Sequence, residues 1–381
     1  MPNAPALLIL ADDLTGAADC AARWRVTGQP ATVQFVPDAV VRPGATASIS
    51  DSRHLSPPQA TQRIQHLLGK LDTLHGQRWY KKIDSTLRGN LGAELDAMLA
   101  ALGQTHAVIC PAFPAQRRGL YNGILVCDPA ISAPVDLPNR LAEQSQRHIT
   151  LLSLDQVRRS PDALANDLRE CSAQASLIVC DAMSDADLAA IVAATLLALP
   201  NALLCGSAGL FGALAARYPS AALPPEAPVH ARRALIVVGS GSTMAHRQIS
   251  ELHERYQMQS DAAITLLHLP APPANTILDG QHARVLAKQL ADAAMRAIHT
   301  LQPDLLLIVG GDTAMALFER LAISELRIQH ELLPGISLSH AITHSGEQYQ
   351  VILKAGSFGD PATLADLLDR CADLQSARRN P

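Results

Sequence analysis

Short apolar runs closed by turn residues recur along the whole chain, and this spacing limits the fold more than any other feature. They are Leu7–Leu10, Val33–Val36, Ala107–Cys110, Leu177–Cys180, Ala202–Cys205, Leu235–Val238, Ile264–Leu267, Leu305–Val309 and Val351–Leu353. Between them lie Ala/Leu/Gln/Arg stretches of helical composition, such as Pro58–Leu74, Asp185–Leu199 and Gln281–His299. Short strands alternating with longer helices predict α/β units. Continuous apolar runs, rather than strict alternation, predict strands covered on both faces, as in parallel sheets. An all-helical bundle does not fit this pattern.

The chain has 381 residues, which at ~100–200 residues per domain implies two domains. The clearest seam is Tyr218–Arg233, rich in Pro and Ala and without apolar periodicity. Pro224-Pro225 cannot lie inside a helix. The expected fold is α/β with two domains, 1–220 and 231–381, joined by a linker at 221–230. Each domain is expected to hold a mostly parallel sheet flanked by helices, with the active site in the cleft between them. The stretch Asp128–Pro138 reads as a surface loop, and Arg378–Pro381 as a frayed tail.

Composition excludes several classes. A net charge of -4 and 3% aromatic residues are a poor match to a phosphate-backbone binder or a base-stacking platform, so no nucleic-acid partner is expected. No run approaches the ~20 apolar residues needed to cross a bilayer. The opening Met-Pro-Asn-Ala-Pro lacks a basic region, and the apolar run behind it stops at Asp12-Asp13, so it reads as a strand rather than a signal peptide. A cytoplasmic location is expected. The seven cysteines form no C-x-x-C pair and several end apolar runs, which reads as reduced core thiols. Charged residues are only 17%, so much of the surface is small and neutral, which is compatible with a homodimer.

Three strand ends in the first domain carry chemistry. Leu7–Leu10 delivers Asp12-Asp13-Leu14-Thr15-Gly16 to the mouth of a helix, where ligands of open parallel sheets bind. Adjacent carboxylates repel and require a cation, a metal or solvent; an N-cap at a solvated strand end is the plain alternative. Asp19, farther along that helix, reads as structural. The block from Trp79 to Glu94 holds Lys81, Lys82, Asp84, Ser85, Thr86, Arg88 and Asn90. On a strand over 79–83, Lys82 and Asp84 share a face. Arg88 supplies a planar fork for a carboxylate and Lys82 a point charge. This suits a small hydroxylated acid, the alternative being a local salt-bridge network around a turn. Arg117-Arg118 follows Cys110-Pro111-Ala112-Phe113-Pro114 and suits an anion or a solvated charge pair, while Arg53 closes a further strand-end cluster. No H-x-x-x-H or H-E-x-x-H spacing indicates a catalytic zinc.

The second domain repeats one theme. Gly239-Ser240-Gly241-Ser242-Thr243 follows a strand and precedes a helix, exposing backbone N–H groups to an anion. Gly310-Gly311-Asp312-Thr313 does the same, and Asp312 can orient Mg²⁺ or a water. Lys354 ends the last apolar run and can reach a phosphate, with Gly356 and Gly359 allowing a tight turn. The turn Glu331–Ile336 can border an adenine or ribose pocket. One such turn is common by chance; three in one domain favour nucleotide binding. A small acid in one domain and a nucleotide in the other point to phosphoryl transfer, which rests on positioning and charge neutralisation. A nicotinamide dehydrogenase lacks its G-x-G-x-x-G fingerprint here, and a scaffold has no need of acids and glycines at successive strand ends.

ADDLTGAAD (11–19), KKIDSTLRGN (81–90), PAFP (111–114), GSAGL (206–210), GSGST (239–243), GGDTA (310–314), PG (334–335) and KAGSFG (354–359) together resemble the four-carbon acid sugar kinase family, in family order over almost the whole chain. The resemblance implies an N-terminal acid-sugar-binding domain and a C-terminal ATP-binding domain. It implies that Asp12, Asp13, Arg53, Lys82, Asp84 and Arg88 line the substrate site, and that Ser240, Gly310, Gly311, Thr313, Gly356 and Gly359 belong to the ATP site. The implied reaction uses ATP and Mg²⁺ to phosphorylate the terminal (4-) hydroxyl of a tetronate. D-threonate is the first expectation, then 3-oxo-tetronate or D-erythronate, and last a non-catalytic sugar-acid-binding regulator. In that reading Arg88, Lys82 and Arg53 hold the carboxylate with Arg118 nearby, one of Asp12, Asp13 and Asp84 acts as base, and Asp312 helps place Mg²⁺. Gly241, Ser242 and Lys354 join the phosphate contacts. Two departures stand out: Arg117-Arg118 replaces the family's Gly-Arg pair, and the segment CDPAISAPVDLPNR (127–140) is altered. Both bear on substrate choice more than on the chemistry.

Overall fold

The computed structural model describes residues 7–35, 43–71, 77–129, 131–218, 229–256, 263–270, 280–371 and 374. Most of the expected linker and the whole expected C-terminal tail lie outside these residues. The chain divides into two compact units, 1–222 and 223–381.

In the first unit the strands are β1 (Leu7–Ala11), β2 (Ala31–Gln34), β3 (Ala45–Ile49), β4 (Arg78–Lys82), β5 (Ala107–Cys110), β6 (Gly119–Tyr121), β7 (Ile124–Val126), β8 (Ile149–Leu152), β9 (Leu177–Cys180) and β10 (Leu203–Gly206). The helices are α1 (Leu14–Arg25), α2 (Pro57–Lys70), α3 (Leu91–Leu102), α4 (Leu137–Ala142), α5 (Leu154–Val157), α6 (Pro161–Ser172), α7 (Asp185–Ala198) and α8 (Ala208–Ala215). The sheet runs β2-β3-β1-β4-β10-β5-β9-β8, parallel at every pairing. β6 and β7 form a separate antiparallel hairpin.

Burial explains the apolar runs. β1, β5, β9 and β10 are buried at every residue, since helices cover both faces. Ile64, Leu67 and Leu68 of α2 and Leu95, Met98 and Leu99 of α3 pack on strand residues Leu8, Leu10, Ile109 and Val179. Small residues Ala17, Ala18, Ala21 and Ala22 bring α1 close to its surroundings, where Trp24 meets Phe211 of α8 at 6.3 Å between ring centroids. Tyr80 of β4 stands edge-on to the same Phe211 ring and donates its hydroxyl to the Ser207 carbonyl at 2.6 Å. Ser207 caps α8 through the N–H of Gly209.

The chain leaves β1 toward β2 and β3 on one side and returns to β4 on the other. That reversal is a topological switch point, where open α/β sheets bind ligands. Ala11 is level with Lys82 on β4 and with Ile49 on β3. Asp12-Asp13, Ser50–Arg53 and Ile83-Asp84 therefore leave the sheet side by side.

The second unit contains β11 (Ala234–Val238), β12 (Ile264–His268), β13 (Leu305–Val309), β14 (Ile323–Leu333), β15 (Ile336–Thr343) and β16 (Gln348–Lys354), with α9 (Thr243–Arg255), α10 (Gly280–Leu301), α11 (Gly311–Arg320) and α12 (Thr363–Asp369). The order β12-β11-β13-β16-β15-β14 is parallel through β16 and antiparallel beyond it. The sequence reading expects neither β14 nor β15. What it takes for a pocket-bordering turn at 331–336 is their hairpin. Gly335 sits there at φ +79°, and a Cβ would come within 2.2 Å of the Phe358 ring. Among the described residues no helix is long and apolar enough to cross a membrane, and none of the seven cysteines is in a disulfide.

Candidate active site

At the first switch point one arginine ties two carboxylates together. Arg53 Nε donates to Asp12 Oδ2 at 2.7 Å and its Nη1 to Asp13 Oδ2 at 2.9 Å, while Nη2 stands 3.9 Å from Asp84 Oδ1. Asp13 is also the N-cap of α1: its Oδ1 accepts from Gly16 N at 2.8 Å and its Oδ2 from the Thr15 hydroxyl at 2.6 Å. The cap and the ligand-site readings of this residue therefore coexist. Asp84 accepts from Arg88 through both oxygens, at 2.6 and 3.1 Å, and from the Thr86 hydroxyl. Asp12 differs, because its buried Oδ1 has no hydrogen-bond partner among the described residues.

Burial and charge separate the three acids. Burial pushes Asp12 up; Arg53 pulls against it, Asp13 beside it adds a smaller rise, and the carboxyl stays above its ordinary range. Burial pushes Asp13 up too, but Arg53 and Lys82 outweigh it and hold the carboxyl below its ordinary range. Against the same burial, Arg88 and Arg53 hold Asp84 well below.

Lys82 is buried, and its Nζ donates to the Ile83 carbonyl at 2.9 Å. The ammonium lies over the start of α1: a Cβ on Gly16 would sit 2.7 Å from it, so a side chain there would displace it. The strand stops at Lys82, so Asp84 belongs to the turn behind it and the shared-face argument does not apply. Arg117 and Arg118 diverge. Arg117 is exposed in the left-handed region at φ 53°, whereas Arg118 is buried with Nη1 donating to the Ser85 hydroxyl. Asn90 precedes α3 without capping it and instead donates to the carbonyls of Ser52 and Leu55.

In the second unit Val238, Val309 and Lys354 are level across β11, β13 and β16, so the three glycine turns open at one sheet edge. Ser240 and Ser242 are joined at 3.1 Å, Ser242 caps α9, and its hydroxyl donates to the Gly356 carbonyl at 2.9 Å. The turns touch: a Cβ on Gly356 would meet Ser240 Oγ at 2.0 Å and one on Gly239 would meet Thr313 Oγ1 at 1.7 Å. Gly310 holds φ +113° at the start of α11 and its N–H bonds the Lys354 carbonyl at 3.0 Å. Gly241 is exposed and Gly311 partly so. Lys354 is fully buried, donates to the Ala355 carbonyl at 2.9 Å, and burial pushes it down to about 7. Gly359 at φ +82° lies against Thr363, whose hydroxyl donates to Asp360. Asp312 stands on the first turn of α11. Among the described residues no group of three or more His, Cys, Asp or Glu forms a metal cage. A Mg²⁺ that arrives with a nucleotide needs only one or two carboxylates beside phosphate oxygens, and Asp312 within the glycine turns fits that donor set.

A sugar-binding N-terminal domain model matches residues 7–214, and a nucleotide-binding C-terminal domain model matches 270–364. A D-threonate kinase of Cupriavidus necator is 35% identical over 66% of this chain and 65% of its own length. Another from Bordetella bronchiseptica is 32% identical over 66% of this chain and 63% of its own. The chain belongs to the four-carbon acid sugar kinase family. Further relatives in that family carry the names 3-oxo-tetronate kinase and D-erythronate kinase, at 31% and 29% identity. The matched region spans less than two thirds of the first two relatives. A solved chain from Salmonella typhimurium LT2 shares the fold at TM-score 0.74 and 21% identity, over 96% of this chain and 98% of that one.

Sequence reasoning passed over Ser50 and Gln248, and it placed Lys81 among the candidate site residues. Ser50 and Ser52 are fully buried, 2.7 Å apart, and Ser50 donates to the Ala11 carbonyl. Lys81, beside Lys82, pairs with Glu94 at 2.5 Å inside the core rather than in the site. Gln248 of α9 fixes the turn after Gly356 by donating to the carbonyls of Phe358 and Asp360. Serine and glutamine at these places carry no spacing signal. The Lys81–Glu94 separation, thirteen residues across a strand, a turn and a helix start, becomes a contact only once the fold exists.

Proposed function

We propose that this chain is an ATP-dependent kinase that phosphorylates the terminal hydroxyl of a four-carbon sugar acid, D-threonate first. What carries the reading is a sugar-binding family match and a nucleotide-binding family match in one chain, each overlapping the strand-end cluster its chemistry needs. The D-threonate assignment is supported by the names of the relatives at 35% and 32% identity.

The roles follow from the partners each group already has. Lys82 and the exposed Arg88 receive the substrate carboxylate, with Arg118 behind Ser85 adding positive charge. Asp13 and Asp84 have both oxygens engaged; Asp12 keeps Oδ1 open and its basicity raised. Asp12 therefore orients the attacking hydroxyl and takes its proton. The hydroxyl oxygen bonds the γ-phosphorus as the bond to the β–γ bridging oxygen breaks, and ADP leaves with that electron pair. Little base assistance is required early in a loose transition state, so orientation is the larger part of the Asp12 role. The N–H groups at the starts of α9 and α11 and the glycine turns meet the phosphates, and Lys354 adds a cation once the phosphate charge nearby keeps its amine protonated. Asp312 would help hold a Mg²⁺, which would supply neutralisation of phosphate charge.

The test is ADP release from purified protein with Mg²⁺-ATP across D- and L-threonate, D- and L-erythronate and 3-oxo-tetronate. D-threonate should give the highest kcat/KM. A different tetronate in first place would reassign the substrate within the same class, and silence with all five would overturn the reading.

A further inference from the structure

Asp19 lies one helical turn beyond Gly16 on α1, so it shares the face over which the Lys82 ammonium rests. It is 5% exposed, and its Oδ1 has no hydrogen-bond partner among the described residues. Burying a carboxylate without a hydrogen bond is costly, and nothing about packing calls for an acid here. The charged groups facing it are Lys82 from β4, Arg23 from its own helix, Asp13 from the β1–α1 corner and Arg118 from the segment before β6. Asp12 and Asp13 have the Arg53 fork as their partner and Asp84 has Arg88. Asp19 has no fork. Among the described residues its compensation is the field of cations, chiefly Lys82, that the substrate carboxylate also needs.

We infer that Asp19 is the exchangeable counter-charge of the sugar-acid site: ionised while the site is empty, it takes a proton from solvent when the substrate carboxylate arrives at Lys82. The inference rests on the proposed placement of the sugar acid at Lys82. An incoming anion raises the proton affinity of a nearby carboxyl, and Asp19, outside the arginine forks that hold the other three acids, has an Oδ1 with no hydrogen bond to lose among the described residues. Burial already holds it at about 6, against an ordinary 3.8, so the added anion acts in the range where the proton can be supplied. Substrate affinity then falls as pH rises above about 6, because the proton must be drawn from a thinner supply.

Calorimetric titration of D-threonate at pH 6.5, in buffers of different ionisation enthalpy, counts the protons taken up. The wild-type protein should take up a substantial fraction of one proton, and its Kd should weaken by up to about tenfold per pH unit above the midpoint. Asp19→Asn should take up none, bind with a Kd flat from pH 6 to 8, and bind more tightly than wild type at pH 7.5. Asp12→Asn should keep the uptake. Asp19→Ser, which leaves a smaller neutral group, repeats the test should the amide fail to fold. Uptake that survives in either Asp19 variant, or binding by the wild type without uptake, overturns the inference alone. Failure of every tetronate to bind the wild type overturns the proposed function and this inference with it.

Discussion

Asp12 and Asp13 are neighbours in sequence with opposite fates, and the cause is where the helix begins. Asp13 spends its oxygens on Gly16, Thr15 and Arg53, whereas Asp12 is held by one bond and keeps an oxygen open. Asp12→Asn should therefore cut kcat by roughly 10²-fold or more while leaving the fold in place, read by steady-state kinetics beside a circular-dichroism melt. Asp13→Asn should act mainly on stability and substrate KM; equal kcat losses in both would remove the distinction. Asp19 makes a separate claim on stability. Its folded value of about 6 lies above the ordinary 3.8, so ionisation works against the fold. The favourable contribution is whole below pH 3.8, declines as pH rises, and is lost above about 6. At pH 7.5 Asp19→Asn should thus be more stable than wild type by up to about 3 kcal/mol, and urea melts of the two should converge near pH 4.

At the level of elements, the site consists of strand ends brought level, and that explains what was readable. The run Leu7–Leu10 closing on two acids, and the three runs closing on glycine, announce both the strand and its ligand-facing end, so β1, β11, β13 and β16 and their turns were visible from residues alone. β14 and β15 were not. Register shifts at Ile323/Glu325, Ile328/His330 and Glu331/Leu333 break the two-residue period, and Ile323, Leu326 and Ile328 lose the alternation that marks a half-buried strand. Asp19 reads as structural from residues alone, because its burial beside Lys82 exists only once the helix is packed. Contacts between the glycine turns predict a selective lesion. Gly356→Ala must displace Ser240 and should raise the ATP KM by about tenfold, roughly 1.4 kcal/mol, with the sugar-acid KM unchanged. The buried Lys81–Glu94 pair predicts a compensated one. Glu94→Leu alone should cost about 3–5 kcal/mol by stranding the ammonium, and Lys81→Met added to it should recover most of that, as urea midpoints will show.

Across the molecule, two units with separate cores carry separate clusters. Hydrogen exchange should resolve that division of labour. D-threonate should slow exchange at 12–16, 50–53 and 83–90, and a non-hydrolysable ATP analogue at 239–243, 310–313 and 354–359. Protection by either ligand confined to the other's segments would refute the assignment.

The strand order of the first unit has a bearing on how the protein is made. β10, the last strand of its sheet to be synthesised, inserts between β4 and β5 near the middle. Until Leu203–Gly206 emerge from the ribosome, the apolar, fully buried β5 and the mostly buried β4 border an open slot, and every backbone group facing that slot is an invitation to pair with the wrong chain. A nascent chain of this kind can collapse early and finish late, so its interval of greatest exposure to aggregation ends only when its final strand enters.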